Sequence, residues 1–342
     1  MKQLFIGLLL STLFRYQNVQ PGPREAACLI YSPFTKSLLL IDGYTLHPPD
    51  GKNIVFSWNK NQWNKIQAEG PDTKTLSSGA LNSDNNKIVV FGGIGKNGYD
   101  DLHGDTWEFN GINWQKLETN DIGTRDHHKM VYAKNIHAFV MYGGQNSKRK
   151  GDSSTWLLQA NKWIELKIKG PGTRYHFGMA YDPFRKKIVL YGGFNELGLQ
   201  KDTWEFDGKD WAMMTTEGPG PRSRFSMVYD PERKMVLLYG GDAGKKKVDT
   251  TISPDGELWD LYGDVWGWNG KKWILINDEG PKRMLPAFGY DEQRKMLVLY
   301  GGGDEFQNTH SDTWELQNDK WVKLMDNGTW RWNGKEYEKM PE

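Results

Sequence analysis

Apolar and polar positions alternate in a block that recurs along the chain. Its clearest copy spans residues 176–214 and contains four short segments typical of β-strands, HFGMAYD, KKIVLYGG, DTWEFD and KDWAMM. Turn-forming sequences, DPFRKK and FDGKDW, join the first pair and the second pair, and they predict tight antiparallel hairpins. The second segment is nearly all apolar, which predicts a strand buried on both faces. Each block therefore predicts a small four-stranded antiparallel sheet.

The block repeats at fixed offsets. In the copy above, Arg174 is followed seven positions later by Tyr181 and eleven positions after that by the pair Gly192-Gly193. Two tryptophans, Trp204 and Trp211, then follow seven positions apart. The same steps begin at Arg24, Lys74, Arg125, Arg222 and Arg283, although the first unit has Asp42-Gly43 instead of a glycine pair and Phe56 instead of the first Trp. Units of about fifty residues, repeated in this way, predict sheets arranged radially around an axis.

The glycine pair, the Asp-Thr-Trp that follows it and the second Trp after a turn resemble kelch repeats. The resemblance covers residues 21–326 and implies an all-β fold, a six-bladed kelch-type β-propeller with strands A to D ordered from the inside outward. It also implies that the tryptophans pack between neighbouring blades, so Trp107, Trp204 and Trp314 are expected to be largely buried. Equivalent places in successive blades are expected for Gly92, Gly143, Gly192, Gly240 and Gly301.

Two segments depart from the repeat. The fifth unit carries an insertion over residues 241–263, between its second and third strands, and a long loop in a compact repeat often carries function. Residues 328–340 repeat the C–D segment, with Trp330 and Tyr337 seven apart, but no A or B segment precedes them. We interpret residues 327–342 as an appended C-terminal half-blade hairpin, which either completes a partial seventh blade with the N-terminus or covers an exposed blade edge.

The N-terminus and the composition indicate where the protein is located and which partners are expected. Lys2 precedes an apolar run over residues 4–13, which predicts an export signal within residues 1–20, to the periplasm, the cell surface or the medium. The alternatives are a retained anchor or an apolar strand, and without a signal the protein is cytoplasmic. No other integral membrane span is expected, and a net charge of +1 gives no reason to expect nucleic acid as a partner. Cys28 is the only cysteine, and we expect a buried, inert thiol.

The candidate binding site is one mouth of the central channel. Each unit begins its inner strand with a basic residue, so a closed propeller would gather six of them at one end, where a ring of cations binds carboxylates well. The predicted ligand-binding residues are Arg24, Lys74, Arg125, Arg174, Arg222 and Arg283, joined by Asp242, Trp259 and Asp260 from the insertion. The alternative is that each basic residue pairs with an acid of the DTWE segment of its blade. His127, His128 and His176 lie near the same strand starts.

The motifs of most enzyme classes are missing from the sequence. It contains no zinc-ligand spacing, no phosphate-binding glycine loop, no nucleophile elbow and no HExxH motif. Copper-radical kelch oxidases need a Cys–Tyr crosslink and two His ligands, and Cys28 lies away from any histidine-rich loop. We therefore expect no cofactor and no metal.

The predicted function is a binding or interaction module for a protein, an acidic peptide or a glycan at the basic mouth, rather than an enzyme. The alternative is an exported carbohydrate-active enzyme of the sialic-acid-processing kelch type, with acid–base residues among Asp242, Asp255, Glu257, Asp260 and the arginines of the basic ring. A non-binding structural scaffold is the third possibility.

Overall fold

The structure is a computed structural model that describes residues 19–43, 55–59, 61–68, 70–72, 74–253, 255–332 and 337–341. The apolar run over residues 4–13 lies outside this part of the chain, so the export signal stays a prediction. Within the described ranges, no helix is both long enough and apolar enough to cross a bilayer.

Six four-stranded antiparallel sheets, here called blades 1 to 6, make up most of the described chain. In every blade the four strands, A to D, are adjacent in chain order. Blade 1 contains Cys28–Ser32, Ser37–Ile41, Val55–Asn59 and Gln62–Ile66; blade 2 contains Ser78–Asn82, Lys87–Phe91, Thr106–Phe109 and Trp114–Leu117. Blade 3 contains Lys129–Ala133, Ala138–Tyr142, Thr155–Gln159 and Lys162–Leu166; blade 4 contains Gly178–Asp182, Lys187–Tyr191, Thr203–Phe206 and Trp211–Thr215. Blade 5 contains Ser226–Asp230, Met235–Tyr239, Val265–Trp268 and Trp273–Asn277; blade 6 contains Ala287–Asp291, Met296–Tyr300, Thr313–Gln317 and Lys320–Met325.

The A strands of successive blades contact one another, and the A strand of blade 6 also contacts that of blade 1. The B strands are buried on both faces, as their apolar sequences predict: in Lys187–Tyr191 every residue after Lys187 is buried. The buried side chains form a separate cluster between each pair of neighbouring blades. The fold is therefore all-β and propeller-like.

The glycine pair after strand B marks the closest approach between blades. Gly143 has φ +65°, and a Cβ there would lie 2.7 Å from the carbonyl oxygen of Arg174 in the next blade. The amide of Gly144 donates to that same oxygen at 2.8 Å. The equivalent glycines, Gly92, Gly192, Gly240 and Gly301, each face the carbonyl of the next blade's basic residue. The expectation that these glycines occupy equivalent places is confirmed, and the physical reason is backbone contact that a side chain would prevent.

The two tryptophans of each repeat differ in burial. The second one is buried in blades 1 to 5, as at Trp211, which is 8% exposed. The first one is less buried, at Trp107, Trp204 and Trp314, and packs against the edges of the clusters between blades. Each of them lies on the third strand and donates its indole N–H to the aspartate two residues earlier, as Trp204 does to Asp202 at 2.7 Å.

Short elements lie at both ends of the blades. Two-residue strands Phe194–Asn195 and Gly198–Leu199 pair in blade 4, and the insertion of blade 5 forms a hairpin of Asp242–Lys247 with Glu257–Leu261. The 3-10 turns are Gly98–Asp100 and Lys134–Ile136. At the C-terminus, Thr329–Trp332 pairs with Tyr337–Lys339 and with Thr309–His310 from the B–C loop of blade 6. The C-terminal hairpin thus extends a loop of blade 6.

Candidate functional site

The six basic residues predicted to form a ligand-binding ring are buried, and five of them pair with an aspartate of their own blade. Arg174 donates to both oxygens of Asp202 at 2.6 Å and to the carbonyl of Gly192 at 3.0 Å. Corresponding ion pairs are Lys74–Asp105, Arg125–Asp152, Arg222–Asp264 and Arg283–Asp312. Their predicted role in ligand binding stays a prediction, which this burial disfavours.

Each of these aspartates precedes the third strand of its blade and pairs with the basic residue that precedes the first strand. Burial alone would raise the pKa of Asp202, but hydrogen bonds from Arg174 and Trp204 hold it below its usual range. Arg24 is the exception, because its Nη1 donates to the carbonyl oxygen of Asp42 at 2.9 Å, and burial lowers its pKa. The ion pairs therefore belong to the architecture of the blades, as the alternative reading of the sequence proposed.

Two residues after each basic residue, the chain reaches the mouth of the channel. The six residues there all have left-handed backbone geometry, with φ between 50° and 56°: Ala26, Leu76, His127, His176, Arg224 and Leu285. Backbone hydrogen bonds link several of them, such as Arg224 N–H to His176 O at 3.0 Å and Leu285 N–H to Arg224 O at 2.6 Å. Left-handed geometry at non-glycine residues is uncommon and often found at functional sites. We call these six residues the mouth ring.

Arg224 is the cationic member of the mouth ring. Its Nη1 donates to Asp242 at 3.0 Å, and its guanidinium lies 4.2 Å from the ring centroid of Trp259. Asp242 is buried and also accepts from the hydroxyl of Ser223 at 3.1 Å. The Arg224 side chain is 23% exposed, so the structure brings two of the predicted site residues, Asp242 and Trp259, around a partly accessible arginine.

The other acids of the insertion hairpin are engaged within the hairpin. The third predicted residue, Asp260, is 49% exposed and pairs with Lys246 at 2.8 Å. Glu257 pairs with Lys245 and Lys247, and Asp255 accepts from Ser253 at 2.6 Å. Asp260 and Glu257 neutralise lysines of their own hairpin, and Asp255 accepts within it, so none of the three pairs with Arg224 in the described part of the chain.

An aromatic group lies beside Arg224 on the mouth ring. The imidazoles of His127 and His176 pack edge to face with centroids 4.0 Å apart, and the ring of Tyr175 lies 5.8 Å from His176. Burial, and then the charges of His127 and Arg224, hold the pKa of His176 well below its usual range, so it is neutral at pH 7. Phe194 stacks 5.5 Å from Tyr175 and is 37% exposed. His128 lies deeper and is buried.

A second arginine lies further out on the same side. Arg149 contacts the buried carboxylate of Asp126 at 3.3 Å, and its guanidinium lies 3.6 Å over the ring of Tyr99. Its side chain is 43% exposed. The mouth therefore holds two arginines, each placed by a buried aspartate and an aromatic face.

A carboxyl group with a shifted pKa completes the mouth. Glu25 is half-buried and accepts from the hydroxyl of Thr309 at 3.0 Å. Burial raises its pKa to about 7; the Thr309 hydrogen bond and Arg224 oppose this shift, while Asp304 adds to it. Glu25 therefore carries a proton part of the time at neutral pH.

Sequence reasoning missed Arg224, Glu25 and Arg149. A signal for Arg224 was present, because it stands two residues after Arg222, the offset at which His127 and His176 follow their arginines. Glu25 and Arg149 gave no such signal, since neither residue type recurs at its offset. No group of three or more His, Cys, Asp or Glu side chains suited to a metal ion occurs in the described part of the chain.

Comparison with known proteins supports the fold. No family model matches the chain, and no curated protein matches it either. Among solved structures, one titled "Structure of YjhT" is similar over 89% of this chain and 98% of that one, with a TM-score of 0.67 and 13% identity. At this identity the likeness shows the fold alone. With the all-β architecture, it supports a kelch-like β-propeller.

Proposed function

We propose that the chain is a closed six-bladed kelch-type propeller that acts as a binding module for a carboxylate-bearing sugar at the mouth ring. The first and last blades are joined by the contacts found elsewhere between neighbours. Trp63 donates to Thr313 at 2.9 Å, the ring of Tyr300 lies 5.1 Å from that of Trp63, and Gly302 N–H donates to Arg24 O at 2.8 Å. These contacts support closure without exchange of a strand.

The observation that carries the binding proposal is the state of Arg224. Its Nη1 is occupied by Asp242, but within the described residues its Nε and Nη2 have no protein acceptor. A guanidinium that is fixed through Nη1, and whose Nε and Nη2 are left to donate, is suited to binding a carboxylate. The inner-strand arginines differ because they are buried, whereas the side chain of Arg224 is partly exposed.

The surroundings of Arg224 favour a sugar. Tyr175 and Phe194 offer partly exposed aromatic faces, on which the apolar face of a sugar ring can pack. His176 is neutral and adds hydrogen-bonding nitrogens without adding charge. A site of this kind, apolar with a few convergent polar groups, is typical of small-molecule recognition.

Calorimetric titration tests this proposal. We expect uronic and sialic acids to bind, and the neutral sugars glucose and N-acetylmannosamine to bind at least tenfold more weakly. The substitution Arg224→Gln should weaken acidic-sugar binding by about tenfold or more, since a charge-assisted hydrogen bond contributes about 1.5–3 kcal/mol. Arg233→Gln, at the opposite end of blade 5, is the matched control. Equal affinity for acidic and neutral sugars, or an unchanged affinity in Arg224→Gln, would refute the proposal.

A second candidate function, an enzyme that acts on the same acidic sugar, is favoured by Glu25. A carboxyl group with a pKa of about 7 can donate and accept a proton at neutral pH, as a general acid–base catalyst must. The test is an NMR time course on the sugars that bind, with wild type and with Glu25→Gln. Turnover that Glu25→Gln abolishes while binding persists supports an enzyme; no turnover of any bound sugar supports a binding module.

A further inference from the structure

The opposite end of the channel holds a larger cavity of about 660 Å³. Its walls are the A strands, and its rim is formed by the A–B turns of the blades. Five blades contribute a tyrosine at the same register of strand A, and blade 2 contributes Leu81. The tyrosines are Tyr31, Tyr132, Tyr181, Tyr229 and Tyr290. A volume of this size lies within the range of small-molecule sites, about 300–1,000 Å³.

The interior of this cavity is apolar and adaptable. Met227 lines it from blade 5 and is partly exposed, while Met130, Met179 and Phe288 line it with side chains that also pack in the clusters between blades. Methionine side chains are unbranched and flexible, so they fit aliphatic chains of different shapes. The cavity wall thus suits a long apolar group better than a polar one.

One charged side chain interrupts this apolar interior. Lys129 is the first residue of strand A in blade 3, and the cavity narrows beside it into a pocket of about 40 Å³ under the mouth ring. The first residues of the other five A strands are all small: Cys28, Ser78, Gly178, Ser226 and Ala287. The long lysine side chain therefore enters a space that its five equivalents leave open.

Lys129 has no counter-ion in the described part of the chain. The ion pairs found there do not include it, and the acidic group near enough to influence it is the thiol of Cys28. Burial lowers the pKa of Lys129, and burial raises that of Cys28 to about 11, so the thiol carries no compensating charge at pH 7. An unpaired ammonium in an apolar channel is unfavourable, and an anion that pairs with it is stabilising.

We propose that this cavity is a second ligand site, which binds an aliphatic carboxylate with its head group at the Lys129 ammonium and its chain along the methionines toward the tyrosine rim. The site is separate from the mouth ring and does not depend on the function proposed there. The anion supplies the missing counter-ion, and the aliphatic chain is removed from water as it packs against the cavity wall.

Titration of the full chain with decanoate, below its micelle concentration, tests the proposal. We expect saturable one-to-one binding of decanoate and at least tenfold weaker binding of decanol, which has the same chain and no charge. Lys129→Met, which keeps the length and removes the charge, should weaken decanoate binding at least tenfold and leave decanol unchanged. Lys129→Arg should retain decanoate binding. The matched control is Lys134→Met, because Lys134 lines the rim of the same cavity and is exposed.

Cys28 provides a readout in the wild-type chain, so the test does not require that Lys129→Met folds. It is the only cysteine and lines both the cavity and the narrow pocket. Decanoate should slow its reaction with a small neutral thiol reagent at least threefold, and decanol at the same concentration should not. The proposal is overturned if decanol protects equally, if decanoate gives no protection, or if Lys134→Met loses decanoate binding while Lys129→Met keeps it.

Discussion

Trp211 of blade 4 donates its indole N–H to the hydroxyl of Thr155 in blade 3, at 3.0 Å. The same bond joins Trp163 to Thr106 and Trp273 to Thr203. The residues of the recurring Asp-Thr-Trp therefore have different roles. The aspartate binds the arginine and the first Trp of its own blade, while the threonine accepts a hydrogen bond from the second Trp of the next blade.

Two blades lack this bond, and the sequence shows why. The other four blades have threonine at this position, but blades 1 and 5 have Val55 and Val265. The second tryptophans of the blades that follow them are Trp114 and Trp321, and their indole N–H groups are buried without a partner in the described part of the chain. We expect Val265→Thr to raise the free energy of unfolding by about 0.5–1.5 kcal/mol, because it supplies an acceptor to Trp321.

Denaturant unfolding measures this effect against Val140→Thr. Val140 is also fully buried, but it lies in the apolar B strand and not at the position that accepts from the second Trp of the next blade. That control should lose about 1–3 kcal/mol, since its hydroxyl is buried without a designated partner. Equal losses in the two variants would show that the Trp321 N–H does not need the bond.

We expect substitution of an inner-strand arginine to lower the free energy of unfolding and to leave the affinity for acidic sugars unchanged. Arg174→Ala leaves the Asp202 carboxylate without its ion-pair partner, and we expect a loss of about 3 kcal/mol in the free energy of unfolding. Lys167→Ala, which breaks the exposed pair with Glu165, should cost less than about 1 kcal/mol. If Arg174→Ala instead keeps its stability and loses affinity for acidic sugars, the basic ring predicted from the sequence is the binding surface.

A substitution in the glycine pair tests whether the close contact between blades contributes to stability. Gly143→Ala places a methyl group 2.7 Å from Arg174 O at a positive φ, so we expect a loss of about 2 kcal/mol or more. Gly172→Ala has a similar φ, +83°, but no atom within 4 Å of the new Cβ. This control isolates the cost of the backbone conformation, and thermal unfolding should show a clearly larger loss for Gly143→Ala. Equal losses would mean that contact between blades adds nothing.

The repeat was readable from the sequence because packing imposes it six times. The glycine pair and the two tryptophans follow from contacts that every blade makes with its neighbour, so their offsets recur. The site was harder to read, because a site is a departure from the repeat. Arg224 and Lys129 are single exceptions at positions where the other blades carry different residues, and only their placement beside a mouth or a cavity shows what they offer. The recurring basic residues follow the repeat instead: in five of the six blades this residue pairs with an aspartate of the same blade.

Glu25 makes stability depend on pH in a predictable direction. Its pKa is about 7 in the folded chain against 4.5 ordinarily, so the folded state holds this proton more tightly than the unfolded state does. Folding stability from this group is therefore fully present below about pH 4.5, falls as the pH rises toward 7, and changes no further above that. Unfolding measured across this range should show the slope in wild type and its absence in Glu25→Gln; the difference between the two curves separates Glu25 from the nearby Asp304 and His310, which both variants retain.

The same titration should act on the ligand. Between about pH 6 and pH 8 the carboxyl of Glu25 loses its proton, and its negative charge then opposes an anion bound at Arg224, whose charge is close enough to influence Glu25. We expect the affinity for an acidic sugar to fall across this range in wild type and to stay nearly constant in Glu25→Gln. By linkage, the bound anion should raise the pKa of Glu25 further, so binding near pH 7 should take up protons from the buffer. Calorimetry in two buffers of different ionisation enthalpy detects that uptake. If binding takes up no protons in wild type, or takes up as many in Glu25→Gln, then Glu25 and the anion are not neighbours at one site.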